Sequence, residues 1–478
     1  MTDLPPGWAW ARLDEVADIQ GGIQKQAKRR PVQNKYPFLR VANVARGRLD
    51  LSDIHEVELF EGELDRYRLE TGDLLVVEGN GTLSQLGRAA MWHGQVADCV
   101  HQNHLIRVRP TGVINPRYLE YLWNSPFIAA QVEKVGASTS GLHTLSVSKL
   151  RHVVVPVPAI TEQLRILTAL DDCFSHIDAG SKILVSVMTR IAEHRDRFIA
   201  AACTGRFAQT KSFARPPTFV GAQDGELPSL PCDWEWLRLG EIADVAGGVT
   251  KDAKKQTDVE MPEVPYLRVA NVQRGRLDLD HVAVIRAPID RVGQLRLREG
   301  DVLLNEGGDR DKLGRGWVWE GQLPVCIHQN HVFRARIHDG WLEPKLLAWH
   351  ANTFGKEWCE RNGKQSVNLA SISLSKIRLL PVPVPPQNEQ SALVALIEDH
   401  LIELDRLNSA LQRTLQRAEY LRRSLLIEAF AGRLVPQDPN DESASVLLAR
   451  IRAERAAQPK ARRGRRTPKN PNEQGSLL

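Results

Sequence analysis

Two stretches of the chain carry apolar residues at alternating spacings of three and four over long distances. In residues 389–432 these are Ile397, Leu404, Leu407, Leu411, Ala418, Leu421 and Leu425, interrupted by His400 and Thr414, which is a heptad seam. Residues 162–205 repeat the pattern as Leu170, Cys173, Ile177, Gly180, Leu184, Val187, Ile191, His194 and Phe198, a poorer seam with small and polar members. Glu403, Asp405, Arg406, Arg413 and Arg417 lie off the seam, so each predicted helix has one apolar face in need of a partner. The other copy is the natural partner; the alternative is two separate helices, each packed on its own domain. Both runs follow a proline cluster, VPVPAITEQ or VPVPPQNEQ, with Thr161 and Asn388 where an N-cap is expected. Both end in a Gly-Arg pair, Gly205-Arg206 and Gly432-Arg433, with glycine at the expected C-cap.

The repeat extends far beyond the helices. LPPGWAWARLDEVADIQGG at residues 4–22 matches LPCDWEWLRLGEIADVAGG at 230–248, an offset of 226. YPFLRVANVARGRLDL at 36–51 matches VPYLRVANVQRGRLDL at 264–279, an offset of 228. GDLLVVEGNG and GDVLLNEGGD, LGRAAMWHG and LGRGWVWEG, two HQNH segments, and SKL with SKI continue the series in the same order. Two equivalent units in one chain imply a pseudo-twofold molecule, and such an axis makes the two helices antiparallel.

Each unit reads as a mixed domain followed by a long helix, with strand-like runs at 38–44, 73–78, 105–108 and 153–157 in the first. The predicted fold class is α+β: two mixed α/β domains related by a pseudo-twofold and separated by two long antiparallel helices forming a coiled coil. The expected boundaries are a first domain at 1–160, a helix at 161–208, a Pro/Gly/Ser-rich linker at 209–228, a second domain at 229–387, a second helix at 388–434, and a short helix with a basic, disordered tail at 435–478. The copies diverge most at 52–68 against 280–296 and at 110–145 against 337–372, so a shared scaffold carries different inserts.

Composition adds two constraints. The net charge of +5 is concentrated at one end: from residue 450 onward the chain carries net +7, which leaves −2 for the remainder. A nucleic-acid surface on the body must therefore be a local patch. The opening MTDLPPGWAW lacks a basic segment followed by an apolar run, no uninterrupted membrane-length apolar stretch occurs, and the six cysteines form no CxxC pair. These features predict a cytoplasmic protein without a disulfide framework.

No catalytic signature stands up, neither a phosphate-binding GxxxxGK[ST] nor a strand-linked GxGxxG. Cys-x-His-x-x-His occurs twice, as Cys99/His101/His104 and Cys326/His328/His331, and offers zinc-type ligands; an autonomous nucleic-acid metalloenzyme is the alternative reading it supports. A strand alternates its side chains, however, so positions 99 and 101 face one way and 104 the other. Basic clusters are more persuasive. Residues 20–49 hold eight Lys/Arg and no acid, including Lys25, Lys28, Arg29, Arg30, Arg40 and Arg46. The counterpart carries Lys251, Lys254, Lys255, Arg268 and Arg274, diluted by acids. Arginine and lysine suit phosphates, and Arg, Asn and Gln suit base edges, so these residues are the candidate DNA contacts. Asn103, His104, Asn330 and His331 are added as loop-positioning or DNA-facing residues. A coiled-coil scaffold without DNA recognition is a third reading.

Taken in order, the W-x-x-x-x-L-x-[ED]-[IV] opening, LRVANV…G, GD[LV]L…G…LGR, QNH, and PVP…EQ leading into a long helix resemble the DNA-specificity subunits of Type I restriction-modification systems. The resemblance covers the chain to about residue 455. It implies two target-recognition domains, each reading half of a bipartite site on double-stranded DNA, and no catalysis by this chain. It also implies docking of two modification (methyltransferase) subunits that bind S-adenosylmethionine, and of restriction subunits using ATP and Mg where these are present, with no cofactor on this chain. Leu170, Ile177, Leu184, Ile191, Phe198, Leu404, Leu411, Leu421 and Leu425 mark the helices expected to dock those partners. A seam over residues 170–198 spans about 43 Å, a little more than one duplex turn.

Overall fold

The computed structural model describes residues 3–80, 82, 85–139, 142–208, 210, 212–214, 224–251, 256, 260–365 and 370–457. Lys254, Lys255 and the basic tail at 460–469 lie outside the described residues. The chain divides into two compact units, residues 1–182 with 414–478 and residues 183–413.

In the first unit a four-stranded antiparallel sheet runs in the order Ala17–Gly21, Leu105–Pro110, Leu74–Val77, Ala89–Met91. The central strand Leu74–Val77 is apolar at all four positions because both its faces are covered. Leu74, Val76, Ile106 and Val108 enter one core with the helix Pro116–Trp123, while Leu75, Val77 and Leu105 enter a second core with Leu39, Val44 and Trp92. A three-stranded sheet, Val100–His101, Lys35–Leu39, His55–Glu58, lies beyond the second core. The strand expected at 38–44 stops at Leu39. There the buried Asn43 accepts the Arg40 N–H and donates to the Asp50 and Asp53 carbonyls, turning the chain into a 3-10 segment.

The second unit repeats this plan: Ala243–Ala246, Val332–Ile337, Val302–Asn305, Gly316–Val318 in one sheet and Ala283–Arg286, Glu263–Leu267, Ile327–His328 in the other. Val302 and Leu304 face one core, Leu303 and Val332 another. Most of the divergent insert at 110–145 is scaffold: Tyr118, Leu119, Leu122, Trp123, Ile128 and Val132 are core residues.

The long helices, Ile160–Cys203 and Gln387–Phe430, contain 44 residues each. Within the first unit, the start of one packs against the end of the other through Leu170, Phe174, Leu426, Ala429 and Phe430. Within the second, Ile199 meets Leu393 and Ile397, so the pairing is antiparallel in both. The helices start a residue before Thr161 and Asn388, which sit in the first turn and not at an N-cap. Thr161 instead donates to Asp441, at 2.5 Å. The second seam also shifts. Leu407 and Leu421 are 48% and 51% exposed, and the half-buried Asn408, Leu415 and Arg422 continue the inner line from Leu404. Arg422 can stand there because its stem covers apolar surface while its head finds a charge: its guanidinium lies 4.3 Å from the Phe174 ring and pairs with Asp178.

Both glycine caps form, at φ +76° for Gly205 and +70° for Gly432, each followed by an N–H that closes back on the helix, Arg206 on Ala201 and Arg433 on Glu428. After the second cap, the helix Ala444–Ala457 returns to the first unit, burying Ala444 and Leu448 in its core. Asp441 and Arg452 fasten it to Arg165 and Glu15 at 2.6 and 2.8 Å.

Candidate nucleic-acid interface

The repeated motifs turn out to be braces. Trp8 donates its indole N–H to Glu162 at 2.9 Å, and Trp234 does the same to Glu389 at 3.2 Å. The glutamines that follow, Gln163 and Gln390, each donate to two backbone carbonyls and accept one backbone N–H, which stitches the head of each long helix to its domain. Asp73 holds Arg109 with two bonds of 2.7 and 2.8 Å, and Asp301 holds Arg336 with two of 2.7 Å. Asn271 repeats the Asn43 turn.

The basic residues separate into two groups. Lys25, Lys28 and Arg30 are exposed on the loop leaving Gly21, with Lys28 beside Phe60 at 5.5 Å. Arg29 is mostly covered: both its terminal nitrogens reach Glu63 at 2.7 Å, which raises its pKa, and its guanidinium lies 4.7 Å from Phe60. Arg40 is paired with Asp53 at 2.6 Å. Arg46 is exposed in the turn between Val44–Ala45 and Arg48–Leu49. In the second unit Lys251 is exposed, Arg268 continues into the Asn271 turn, and Arg274 donates to the Asn352 carbonyl. Arg274 thereby lines a cleft of about 750 Å³ that also holds Arg195, Trp317, Trp349, Glu398 and Leu401, apart from the Asn330–His331 turn.

The two Cys-x-His-x-x-His segments do not converge on a point. Cys99 and His101 are buried, whereas His104 is exposed; Cys326, His328 and His331 repeat the arrangement. Burial pushes both thiols up to about 12 and lowers His101 and His328 to about 3 and about 4. Such groups are packing residues. Among the described residues no three His, Cys, Asp or Glu side chains are placed to share a metal.

His104 has a different partner, which the sequence reading missed. Its Nδ1 lies 2.8 Å from Glu78, and the His331 Nδ1 lies 2.6 Å from Glu306. The backbone around Glu78 joins three segments: its N–H donates to the His104 carbonyl, its carbonyl accepts from Leu145, and the Asn103 N–H donates to Ile23 at the root of the basic loop. A hairpin, Ala137–Thr139 and Leu142–Thr144, pairs with Gly79–Asn80 beside it. The second unit repeats the arrangement through Glu306, Ile372 and Asn330. Each unit therefore gathers the basic-loop root, the Asn-His turn and a short hairpin on one surface. The signal was present, since Glu78 and Glu306 sit in matching GD…EG motifs.

A sequence profile described as the Type I restriction modification DNA specificity domain matches residues 5–187 and again 231–417. The chain belongs to this family. Among curated members of the Type I specificity family, it is 23% identical over 468 residues to the Type I restriction enzyme StySPI specificity subunit of Salmonella potsdam, covering 95% of this chain and 96% of the relative. It is 24% identical to the EcoBI specificity subunit of Escherichia coli, covering 96% and 94%. With the EcoAI specificity subunit of Escherichia coli the identity is 47%, covering 83% and 78%. The HsdS subunit from Thermoanaerobacter tengcongensis shares the fold at a TM-score of 0.50 and 18% identity, over 90% of this chain and 98% of that one. A chain from a structure concerned with complex assembly and conformational transition of the type I R-M system reaches 0.65 at 18% identity, over 91% and 100%. These members carry the name of specificity subunits, and DNA sequence specificity is the role that family membership supports for the chain. No helix among the described residues is long and apolar enough to cross a membrane.

Proposed function

We propose that each domain reads one half of a bipartite target on double-stranded DNA, while the helix pair sets the gap and docks two methyltransferase subunits. One observation carries this reading: two units share the same braces, Glu78–His104 and Glu306–His331, yet surround them with different basic loops and hairpins. A common frame with divergent rims is suited to reading two unlike half-sites. In the first unit the phosphate contacts are Lys25, Lys28 and Arg30, the exposed members of the cluster. Arg29 and Arg40, already engaged by Glu63 and Asp53, shape the loop from behind. Asn103, His104, Asn330 and His331 stand at the rim, and Lys251, Lys254, Lys255, Arg268 and Arg274 are the second domain's candidates.

The chain contributes no catalytic group on this reading. S-adenosylmethionine belongs to the modification subunits, and ATP with Mg to restriction subunits where these are present. The complex acts in the cytoplasm. The exposed apolar side chains along the helices, Ile183, Ile402, Leu407, Tyr420 and Leu421, supply docking area for the modification subunits. The test is methylome sequencing of cells carrying the chain and its methyltransferase. A split motif with a fixed unread gap is expected. Replacing Asn103 and the hairpin at 137–144 should alter one half only. An unchanged motif, or loss of both halves together, would overturn the reading.

A further inference from the structure

The two histidines that interrupt the helix seams, His194 and His400, face each other inside the second unit. Their Nε2 atoms are 3.1 Å apart although the residues are 206 positions apart in sequence. As a hydrogen bond this contact needs one ring to donate and the other to accept. Two nitrogens at that separation also subtend about 98° at an ion held at the usual zinc–imidazole distance of about 2.05 Å, between the octahedral and tetrahedral angles. The rings are held in place. His400 stacks on Phe198 with centroids 3.8 Å apart and planes 28° from parallel, and Phe198 rests on Phe207 at 5.0 Å.

From this geometry we infer that His194 and His400 form a binding site for one divalent transition-metal ion, which clamps the two long helices together within residues 183–413. Two imidazoles suit nickel, copper and zinc, while magnesium and calcium prefer oxygen donors. Glu403 is engaged by Arg406 and Asp405 by Arg195, so water completes the coordination and the ion exchanges readily. The site is independent of the DNA-reading proposal.

The test is calorimetric titration of the full-length, tag-free protein with nickel and with copper. One ion per chain is expected, with copper bound more tightly than nickel. Affinity at that site should fall by more than about tenfold in His194→Gln and in His400→Phe, because removal of even an outer-shell partner costs about that much. His400→Phe keeps an aromatic ring on Phe198, and His194 is exposed, so both variants should melt as the parent does without metal. His152→Gln, at an exposed histidine elsewhere, is the control and should bind as the parent does. In the copper form, electron paramagnetic resonance should report two nitrogen ligands. Absence of binding by the parent, or equal binding in both single variants, would overturn the inference.

Discussion

His101 lies wholly inside the first unit, and burial, with Arg107 adding to it, holds its pKa at about 3 against the weaker pull of backbone contacts at Gln20 and Tyr67. His328 and His350 are held at about 4 by the same desolvation. The unfolded chain takes up these protons near pH 6.5, while the folded chain refuses them. Stability is therefore full above pH 6.5 and falls as the pH drops toward 4, by about 1.4 kcal/mol per pH unit for each histidine. The carboxylates of Glu63 and Asp441, lowered mainly by Arg29 and Arg165, add loss in the same direction at more acidic pH. His101→Leu removes one buried group that the unfolded chain protonates and the folded chain does not. It should flatten the slope of stability between pH 6.5 and 4 in urea unfolding. A steeper slope would show that His101 is charged in the folded protein.

At the scale of elements, the caps and seam make separate predictions. Gly432→Ala forces a side chain into the left-handed region, about 1–2 kcal/mol, and places its Cβ 2.3 Å from the ring of Pro5. Gly205→Ala meets Pro231 in the same way at 2.4 Å. Each should therefore lower the melting temperature clearly, and Gly275→Ala, with open space around it, should do so less. Leu421 is half exposed, so Leu421→Ser should change stability by no more than about 0.5 kcal/mol. If the exposed helix face docks the modification subunits, the same change weakens their association, which analytical ultracentrifugation of the mixed subunits measures. The helices were legible from their three-four spacing, their antiparallel pairing from the repeat and its pseudo-twofold axis, and their stops from the Gly-Arg pairs, because each is written along one line of sequence. The second seam's exact line was not. A leucine at 407 or 421 looks like the better core residue than Arg422 until the Phe174 ring and Asp178 are seen beside that arginine.

For the whole molecule, the proposal that each unit reads one half of a bipartite target predicts that variants act on one half at a time. Lys25→Ala, Lys28→Ala and Arg30→Ala, combined, should weaken DNA binding with little change in preferred sequence. The slope of log affinity against log salt should become shallower by roughly one per phosphate contact removed. A shifted half-motif with an unchanged salt slope would place these residues at bases instead.

The sequence by itself determined the duplication, the α+β class, the long helices and the family, because all of these are written as order and spacing along the chain. It could not tell braces from readers. Arg29 and Lys28 are neighbours of like charge in one cluster, yet folding carries Glu63 onto the first and leaves the second exposed. Glu78 and His104 stand 26 positions apart and become partners only when their strands pair. His194 and His400 meet only because the helices run antiparallel. Charge, burial and hydrogen bonding depend on distance in space, and for these residues the tertiary structure alone sets that distance.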